Sequence, residues 1–199
     1  MKGKKKEEYR EDIRDLVIAN AGKIFSRFGF KKTTMDEIAQ AARKGKSSIY
    51  YYFTSKEEIF EAVVEREASQ LRASLAAAIS ESKTPQEKLN NYIIARMKGF
   101  KKLVNFYDAV KNDYLTYMPF VEKLKEEFDT TEAKTIEEFL KEGVSKKAFK
   151  IEDTKLVAIS LITVLKGLEM PLFINNEDVN IEQSLQDLMN IIFFGIIKR

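Results

Sequence analysis

Hydrophobic residues recur every three or four positions along nearly the whole chain, which is the period of an amphipathic helix. The first such stripe comprises Ile13, Leu16, Val17, Ala21, Ile24, Phe25 and Phe28. Gly29 follows where a helix commonly ends in a left-handed residue, and Phe30 comes where a side chain can fold back onto the last turn, onto Phe25. The pattern predicts a first helix from about Glu8 to Phe28.

Three later helix starts are indicated by capping motifs, in which a Ser or Thr precedes a Glu by three residues. These motifs span residues 34–37, 55–58 and 84–87, and the last has proline at its first helical position. Helical periodicity predicts the remaining helices at residues 46–52, 86–117 (as one or two helices), 119–143, 153–173 and 180–197. Because strand-like alternation bounded by hairpin turns is absent from the sequence, we expect an all-α fold of about nine helices.

The composition narrows the chemistry that the chain can perform. It contains 199 residues, enough for one large domain or two small ones, and neither cysteine nor histidine is among them. Disulfides, a thiol nucleophile, an imidazole base and a Cys/His zinc site are therefore excluded, and we expect no metal ion and no cofactor. No apolar run reaches the roughly 18 residues of a membrane span, and no apolar signal segment follows the basic start. We therefore expect a cytoplasmic protein without a membrane partner.

Charge is distributed unevenly along the chain. Residues 1–60 hold 14 Lys and Arg against 9 Asp and Glu, a net charge of +5, whereas residues 61–199 hold 20 against 22, a net charge of −2. A basic front segment on a slightly acidic body indicates a polyanionic partner. The alternative is an ordinary solvated tail, because four of the positive charges are Lys2, Lys4, Lys5 and Lys6.

Residues 34–53 predict a helix of about ten residues, a three-residue turn and a second short helix. This is the layout of a helix-turn-helix, whose second helix enters the major groove of DNA. Polar tips would face away from Ile49 and Phe53 at Lys46, Ser47, Ser48, Tyr50 and Tyr51. Hydroxyl and ammonium groups suit base edges and phosphates. Packing between helices is the alternative for the tyrosines, above all for Tyr52.

The segments Thr33–Ala42, Ser48–Phe53 and Ser55–Ile59 resemble the N-terminal domain of the tetracycline-repressor (TetR) family. The resemblance covers about residues 10–62, whereas the rest of the chain matches only in length and helical character. It implies a homodimeric one-component regulator of transcription, expected to be a repressor, with a helix-turn-helix domain at residues 1–55 and a ligand-binding and dimerisation domain at residues 56–199. Its implied partners are double-stranded DNA at an inverted-repeat operator, a second copy of the chain and a small lipophilic or aromatic effector that releases the operator.

The resemblance also assigns roles to individual residues. It implies phosphate contacts for Thr34, Tyr50, Tyr51 and Lys56, and base contacts for Lys46, Ser47 and Tyr50. The full prediction for DNA contacts is Thr34, Arg43, Lys44, Lys46, Ser47, Ser48, Tyr50, Tyr51 and Lys56.

The turn between the two short helices departs from the family pattern, because Arg43, Lys44 and Gly45 replace the usual Gly-Val-Ser. Arg43 must adopt or avoid the left-handed geometry that glycine permits, and adopting it costs about 1 kcal/mol. Gly45 supplies no side-chain oxygen to cap the next helix. Arg43, Lys44 and Lys46 put three cations beside the groove entrance, so we expect DNA binding to be sensitive to salt.

The last two helices are apolar on more than one face, and an apolar face must be buried. One face can pack in the chain's own core, whereas the other needs a partner, so we expect a two-fold dimer through a four-helix seam. The predicted contacts are Val157, Leu161, Val164, Leu168, Leu185, Leu188, Ile192 and Ile196. A monomer whose last helices form only its own core is the alternative. A dimer would place two reading helices about 34 Å apart.

The middle helices are rich in methionine and aromatic residues, which suit a cavity for flat or lipophilic molecules. The predicted pocket residues are Met97, Phe100, Tyr107, Tyr114, Tyr117, Phe128 and Phe173. Ordinary core packing is the alternative for each of them, and it is the family resemblance that makes an effector expected.

Two other functions stay open at this point. One is a small helical enzyme using Asp, Glu, Lys or Tyr, although the sequence has no glycine-rich phosphate loop or metal-carboxylate motif. The other is a non-specific DNA-coating protein, which would be basic throughout, whereas residues 61–199 carry a net charge of −2.

Overall fold

The computed structural model describes residues 2–100, 102, 103, 105, 119–173 and 181–194, and their side chains except those of residues 2–9, 169–173, 181 and 182. Across these residues the secondary structure is helical, without a strand, which confirms the all-α prediction. The eight helices described are α1 (Lys2–Phe28), α2 (Met35–Ala41), α3 (Lys46–Tyr52), α4 (Lys56–Ser80), α5 (Pro85–Phe100), α6 (Pro119–Ser145), α7 (Thr154–Phe173) and α8 (Ile181–Phe194).

Helix α1 begins at Lys2, six residues before the predicted start at Glu8. The apolar stripe begins only at Ile13, so periodicity could not detect the first turns, which are built from the strong helix formers Lys and Glu. The helix ends as predicted: Gly29 has a φ of +78°, and its amide donates to the Phe25 carbonyl at 2.8 Å.

The capping motifs fold as the sequence predicts, with one variation. The Thr34 side chain accepts a hydrogen bond from the Glu37 amide, and the Glu37 carboxylate accepts from the Thr34 amide at 2.8 Å. At the start of α4, the Ser55 hydroxyl accepts from the Glu58 amide at 3.2 Å. The Glu58 carboxylate, however, returns to the amide and hydroxyl of Thr54, at 2.6 and 2.9 Å, one residue earlier than expected.

The chain divides into two packed units, residues 1–70 with 103–123 and residues 71–102 with 124–199, here called unit 1 and unit 2. Unit 1 has an aromatic core in which the Phe60 ring lies 5.1 Å from that of Phe25 and 4.9 Å from that of Phe30. Asn105 is also buried here, and its side-chain amide donates to the Glu67 carboxylate at 2.6 Å and to the Gly22 carbonyl at 3.2 Å. The predicted functional boundary between residues 55 and 56 stays a prediction.

Unit 2 is built around α5 and α6. Leu89, Ile93, Met97 and Ile136 are almost completely buried. Helix α6 ends in a Schellman motif: the Ala148 amide donates to the Gly143 carbonyl at 2.8 Å, and Lys147 adopts a left-handed φ of +56°. Among the helices described, none combines the length and apolar content that a bilayer span would need.

Candidate nucleic-acid interface

Two buried apolar side chains anchor α3 in the core. Ile49 and Phe53 are fully buried, and the Arg14 guanidinium lies 5.2 Å from the centre of the Phe53 ring. Tyr50 and Tyr51 point the other way, with 47% and 61% of their surface exposed. The outer face of α3 is therefore polar and open, as a helix that enters a groove requires.

The turn before α3 is a Schellman motif built on an arginine. The Lys44 amide donates to the Ala39 carbonyl at 3.0 Å, and the Arg43 amide donates to the Gln40 carbonyl at 3.1 Å. Arg43 adopts the left-handed conformation, with a φ of +52°. Within the part of the chain that the structure describes, the exposed Arg43 guanidinium has no hydrogen-bond or ion-pair partner. The fold therefore accepts a cost of about 1 kcal/mol at Arg43 without using its charge.

Lys46, the first residue of α3, is paired with an acidic residue of α2. Its Nζ lies 3.0 Å from Asp36, and the two side chains are 54% and 67% exposed. The hydrogen bond and the charge of Asp36 raise the pKa of Lys46. Gly45 caps α3 without a side-chain hydrogen bond, as expected. Lys46 and Asp36 lie on different helices, so no local sequence pattern predicts this pairing.

Tyr51 has a cationic partner on α1 that the sequence analysis also missed. The Arg10 Nη2 donates to the Tyr51 hydroxyl, and the Arg10 guanidinium carbon lies 5.1 Å from the centre of the Tyr51 ring. The Tyr52 ring meets the Tyr51 ring edge to face at 5.0 Å. A signal was available, because Arg10 precedes Ile13 by three residues and so continues the inward stripe of α1 by one turn.

Besides Tyr51, two more of the predicted phosphate contacts already have partners inside the chain. The Lys56 Nζ donates to the carbonyls of Phe30 and Thr33, each at 2.9 Å, and lies 4.3 Å from the centre of the Phe30 ring. The Thr34 hydroxyl donates to the Glu37 carboxylate at 2.9 Å. Both groups thus hold the loop before α2, and a phosphate contact from either would have to share or replace these bonds.

The remaining predicted DNA contacts lie at the turn and in the first turn of α3. Ser47 is exposed, whereas Lys44 and Ser48 are half-buried. Arg43, Lys44 and Lys46 are thus close in sequence and at least partly open to solvent, next to the polar face of α3.

The predicted dimer residues fall into three groups. Val164 is 47% exposed, whereas Leu185 is 1% exposed and packs in the chain's own core, so it is not available to a partner. Half-buried positions are Val157, Leu161, Leu168, Leu188 and Ile192, and Ile196 lies outside the described residues. The structure adds four exposed apolar residues on α7 and α8 that the sequence analysis did not select: Leu156, Ile159, Ile191 and Phe194, which are 60%, 47%, 50% and 80% exposed.

The predicted pocket residues are only partly described. Met97 and Phe100 are buried, and the rings of Phe100 and Phe128 meet edge to face at 5.6 Å. The structure does not describe Tyr107, Tyr114, Tyr117 or the side chain of Phe173. Among the described residues, no group of three or more acidic side chains is arranged to hold a metal ion.

Beside these aromatic residues lies a buried ion pair. The Arg96 and Glu132 side chains are 0% and 1% exposed. Two nitrogens of the Arg96 guanidinium donate to the Glu132 carboxylate: Nε to one oxygen, and Nη2 to the other at 3.1 Å. The Tyr92 hydroxyl lies 3.4 Å from the same carboxylate, and the Phe100 ring lies 4.6 Å from the Arg96 guanidinium carbon. Burial is the main cause that raises the pKa of Tyr92, and the negative charge of Glu132 raises it further.

Comparison with known proteins finds that this chain is similar to bacterial regulators of transcription. The family model described as "Bacterial regulatory proteins, tetR family" matches residues 17–63. The HTH-type transcriptional regulator YhgD of Bacillus subtilis is 26% identical over 159 residues, 79% of this chain and 82% of that protein. IcaR of Staphylococcus aureus, the negative transcriptional regulator of the biofilm operon icaADBC, is 43% identical over 49 residues, 25% of this chain and 26% of that protein. The crystal structure of a transcriptional regulator from Cytophaga hutchinsonii is 30% identical, covers 88% of this chain and 91% of that chain, and has a TM-score of 0.71.

An α2–turn–α3 unit with a polar outer face, in a helical chain, defines a helix-turn-helix regulator of transcription. The matches to the family model and to the Cytophaga regulator then settle the family: this chain belongs to the TetR family. Proteins of that family are DNA-binding regulators rather than enzymes, which removes the enzymatic alternative.

Proposed function

We propose that the protein is a homodimeric repressor that binds an inverted-repeat operator through α3 and leaves it when a small lipophilic or aromatic effector binds. The observation that carries this proposal is the division of α3 into a fully buried face, Ile49 with Phe53, and an exposed polar face, Tyr50 with Tyr51. Repression is the role given to IcaR, whose similarity to this chain is confined to 49 residues. A protein whose target is chromosomal DNA would work in the cytoplasm.

The electrostatics of the turn support a DNA partner. A left-handed arginine with no partner in the described structure costs stability and gains nothing within the chain. A phosphate group beside the turn would give the Arg43 guanidinium the bidentate partner that it lacks. Lys44 and Lys46 would add to the same field, so part of the binding free energy would come from counterion release.

A homodimer is supported by the apolar surface on the last two helices. Leu156, Ile159 and Val164 are at least 47% exposed and lie on one side of α7, with Ser160 and Thr163 between them and Gly167 about one turn beyond. Small residues along such a stripe allow another helix to approach closely. A second copy that pairs the same faces would bury these side chains and form an isologous interface.

The proposed effector follows from the family, and the aromatic residues of α5 and α6 support it. Support from this chain is the aromatic environment of α5 and α6, where Phe100 and Phe128 pack edge to face. Arg96 already has a bidentate carboxylate partner in Glu132, so no net charge is left there to attract an ionic effector. We expect the effector to prefer the dimer whose α3 helices do not fit successive grooves, which shifts the population away from DNA.

Selection of bound sequences from a random duplex library tests the proposal. The expected product is an inverted repeat whose half-sites are centred about 10 base pairs apart, one helical turn, because one α3 from each subunit reads one major groove. A variant with Ser47→Ala should change the bases selected within each half-site, whereas Ser145→Ala, at the end of α6, should select the same sequence.

Other results would select another function. Binding without sequence enrichment would indicate a DNA-coating protein. A single, unrepeated half-site together with a 23 kDa species in sedimentation would refute the dimer.

A further inference from the structure

Arg10 and the lysines at the start of α1 are cationic residues to which the proposed reading helix gives no role. We propose, on the basis of the proposed function, that Arg10 and the lysine segment at residues 2–6 form a second DNA contact on each subunit. This contact would bind the phosphodiester groups next to those that Tyr51 reaches, without reading bases.

Arg10 lies next to the outer face of α3. Its guanidinium contacts Tyr51, which belongs to α3 and is 61% exposed, through a hydrogen bond to the hydroxyl and through the ring face. Arg10 is itself exposed. A guanidinium has five N–H donors in a planar fork, and the Tyr51 hydroxyl accepts from one nitrogen. A DNA strand that approaches the Tyr51 hydroxyl would therefore also come within reach of a cation suited to bidentate phosphate binding.

Neighbouring side chains hold Tyr51 in place before DNA binds. Arg10 lies over one part of its ring, and the Tyr52 ring packs against it edge to face at 5.0 Å. A surface tyrosine confined in this way loses less conformational freedom when it binds, so its contact is preorganised.

The part of α1 that precedes Arg10 is long enough and basic enough to reach further phosphates. The helix continues back to Lys2, eight residues earlier, which is about 12 Å at 1.5 Å per residue. Residues 2–6 contain four lysines and no acidic residue. Because phosphates of one strand follow each other about every 3.4 Å along the duplex axis, this length corresponds to roughly three phosphates. A helical basic segment attached beside α3 thus has the reach to extend the DNA footprint.

The opposite end of α1 provides a matched control. Arg27 is also an exposed arginine on α1, and its guanidinium carbon lies 5.2 Å from the centre of an aromatic ring, that of Phe28. Arg10 and Arg27 therefore differ in one relevant respect, the proximity of Arg10 to α3.

The experiment measures the dissociation constant of the full-length protein for a labelled operator duplex over a range of salt concentrations. Arg10→Gln should raise the Kd on the order of ten-fold at low salt, equally for strong and weak operators, and should lower the slope of log affinity against log salt by about one for each phosphate that is no longer bound. Arg27→Gln should change neither quantity. Tyr51→Phe should weaken binding in the same sequence-independent way.

A second comparison tests the lysine segment. Wild-type protein should bind an operator with long flanks more tightly than one trimmed to its half-sites, whereas a variant with Lys2, Lys4, Lys5 and Lys6 all changed to Gln should bind both duplexes equally. Equal Kd values and salt slopes for Arg10→Gln and Arg27→Gln, with wild-type flank dependence in the lysine variant, would overturn the inference while leaving the proposed function intact. Absence of duplex binding by the wild-type protein would instead refute the proposed function itself.

Discussion

Two ion pairs, one from each unit, differ in how far they are exposed to solvent. In unit 1, Lys46 and Asp36 form an ion pair that is more than half exposed, and Arg43, three residues before Lys46, has no partner in the described structure. In unit 2, Arg96 and Glu132 form a bidentate pair that is almost completely buried. The Lys46–Asp36 pair and Arg43 therefore leave positive charge open to an outside partner, whereas the Arg96–Glu132 pair neutralises its charge internally.

This difference separates two energetic roles. An exposed pair contributes about 0–1 kcal/mol to stability, so its residues are free to serve binding. A buried pair contributes little in total, but removing one partner leaves the other charge without solvent or counterion. Substitutions in the two units should consequently affect different properties, folding in unit 2 and DNA affinity in unit 1.

The largest expected effect is on the buried pair. Glu132→Ala should lower the free energy of unfolding by about 3–5 kcal/mol, because the Arg96 guanidinium would keep its charge in the core without the Glu132 carboxylate. Asp36→Ala should lower it by less than about 1 kcal/mol. Urea denaturation of both variants measures the contrast. Combining Arg96→Met with Glu132→Leu should recover most of the loss, and equal losses for Glu132→Ala and Asp36→Ala would contradict the comparison.

The next effect concerns Tyr92 at high pH. Burial and the Glu132 charge raise the pKa of Tyr92 in the folded chain above the unfolded value of about 10. Its contribution to stability is therefore complete below pH 10 and is lost as the pH rises further, since the unfolded chain ionises first. Denaturation from pH 8 to 11 should show stability falling by at most about 1.4 kcal/mol per pH unit from this group.

Tyr92→Phe supplies the control for that pH dependence. The variant should lose the Tyr92 part of the alkaline slope while the rest of the curve stays the same. An unchanged slope would mean that another group causes the decline.

A smaller effect distinguishes two left-handed basic residues that occupy equivalent places. Arg43 and Lys147 each follow a helix in a Schellman motif, with φ values of +52° and +56°. Replacing either by glycine should raise the free energy of unfolding by up to about 1 kcal/mol, since glycine accepts this geometry without strain. Only Arg43→Gly should weaken operator binding, as measured by titration at low salt. A loss of affinity in Lys147→Gly of the same size would show that the charge of the turn is not used locally.

The smallest effect is expected at Asp36. Asp36→Asn removes the acidic partner of Lys46 and should tighten operator binding a few-fold at low salt, with little change in stability. Asp129→Asn is the matched control, because Asp129 forms a partly exposed pair with Lys166 in unit 2, at 2.6 Å. Weaker binding by Asp36→Asn would mean that the pair positions Lys46 for DNA rather than competing with it.

Local signals in the sequence predicted most of the fold. The capping motif at Thr34, the left-handed Gly29 and the short helix between Lys46 and Tyr52 all depend on residues within a few positions of one another, and the structure confirms each of them. The start of α1 was wrong because a polar helix has no apolar period to reveal it.

Features that depend on tertiary contacts could not be predicted in the same way. Arg10 and Tyr51 are 41 residues apart in sequence, and the pairing of Lys46 with Asp36 requires two helices to meet at a set angle. The same limit explains Leu185, since periodicity identifies an apolar face but does not say whether that face meets the chain's own core or a partner. The roles of the DNA, dimer and pocket residues stay predictions.

The salt dependence of operator affinity is the sharpest test of whether the cations around α3 bind DNA phosphates. For wild-type protein, log affinity should fall steeply and linearly with log salt concentration, because cations around α3 displace counterions from phosphates. A variant with Arg43, Lys44 and Lys46 changed to Gln should show a slope smaller by roughly 0.9 for each phosphate that these side chains no longer neutralise. A nearly flat wild-type plot, or the same slope in both proteins, would contradict the account.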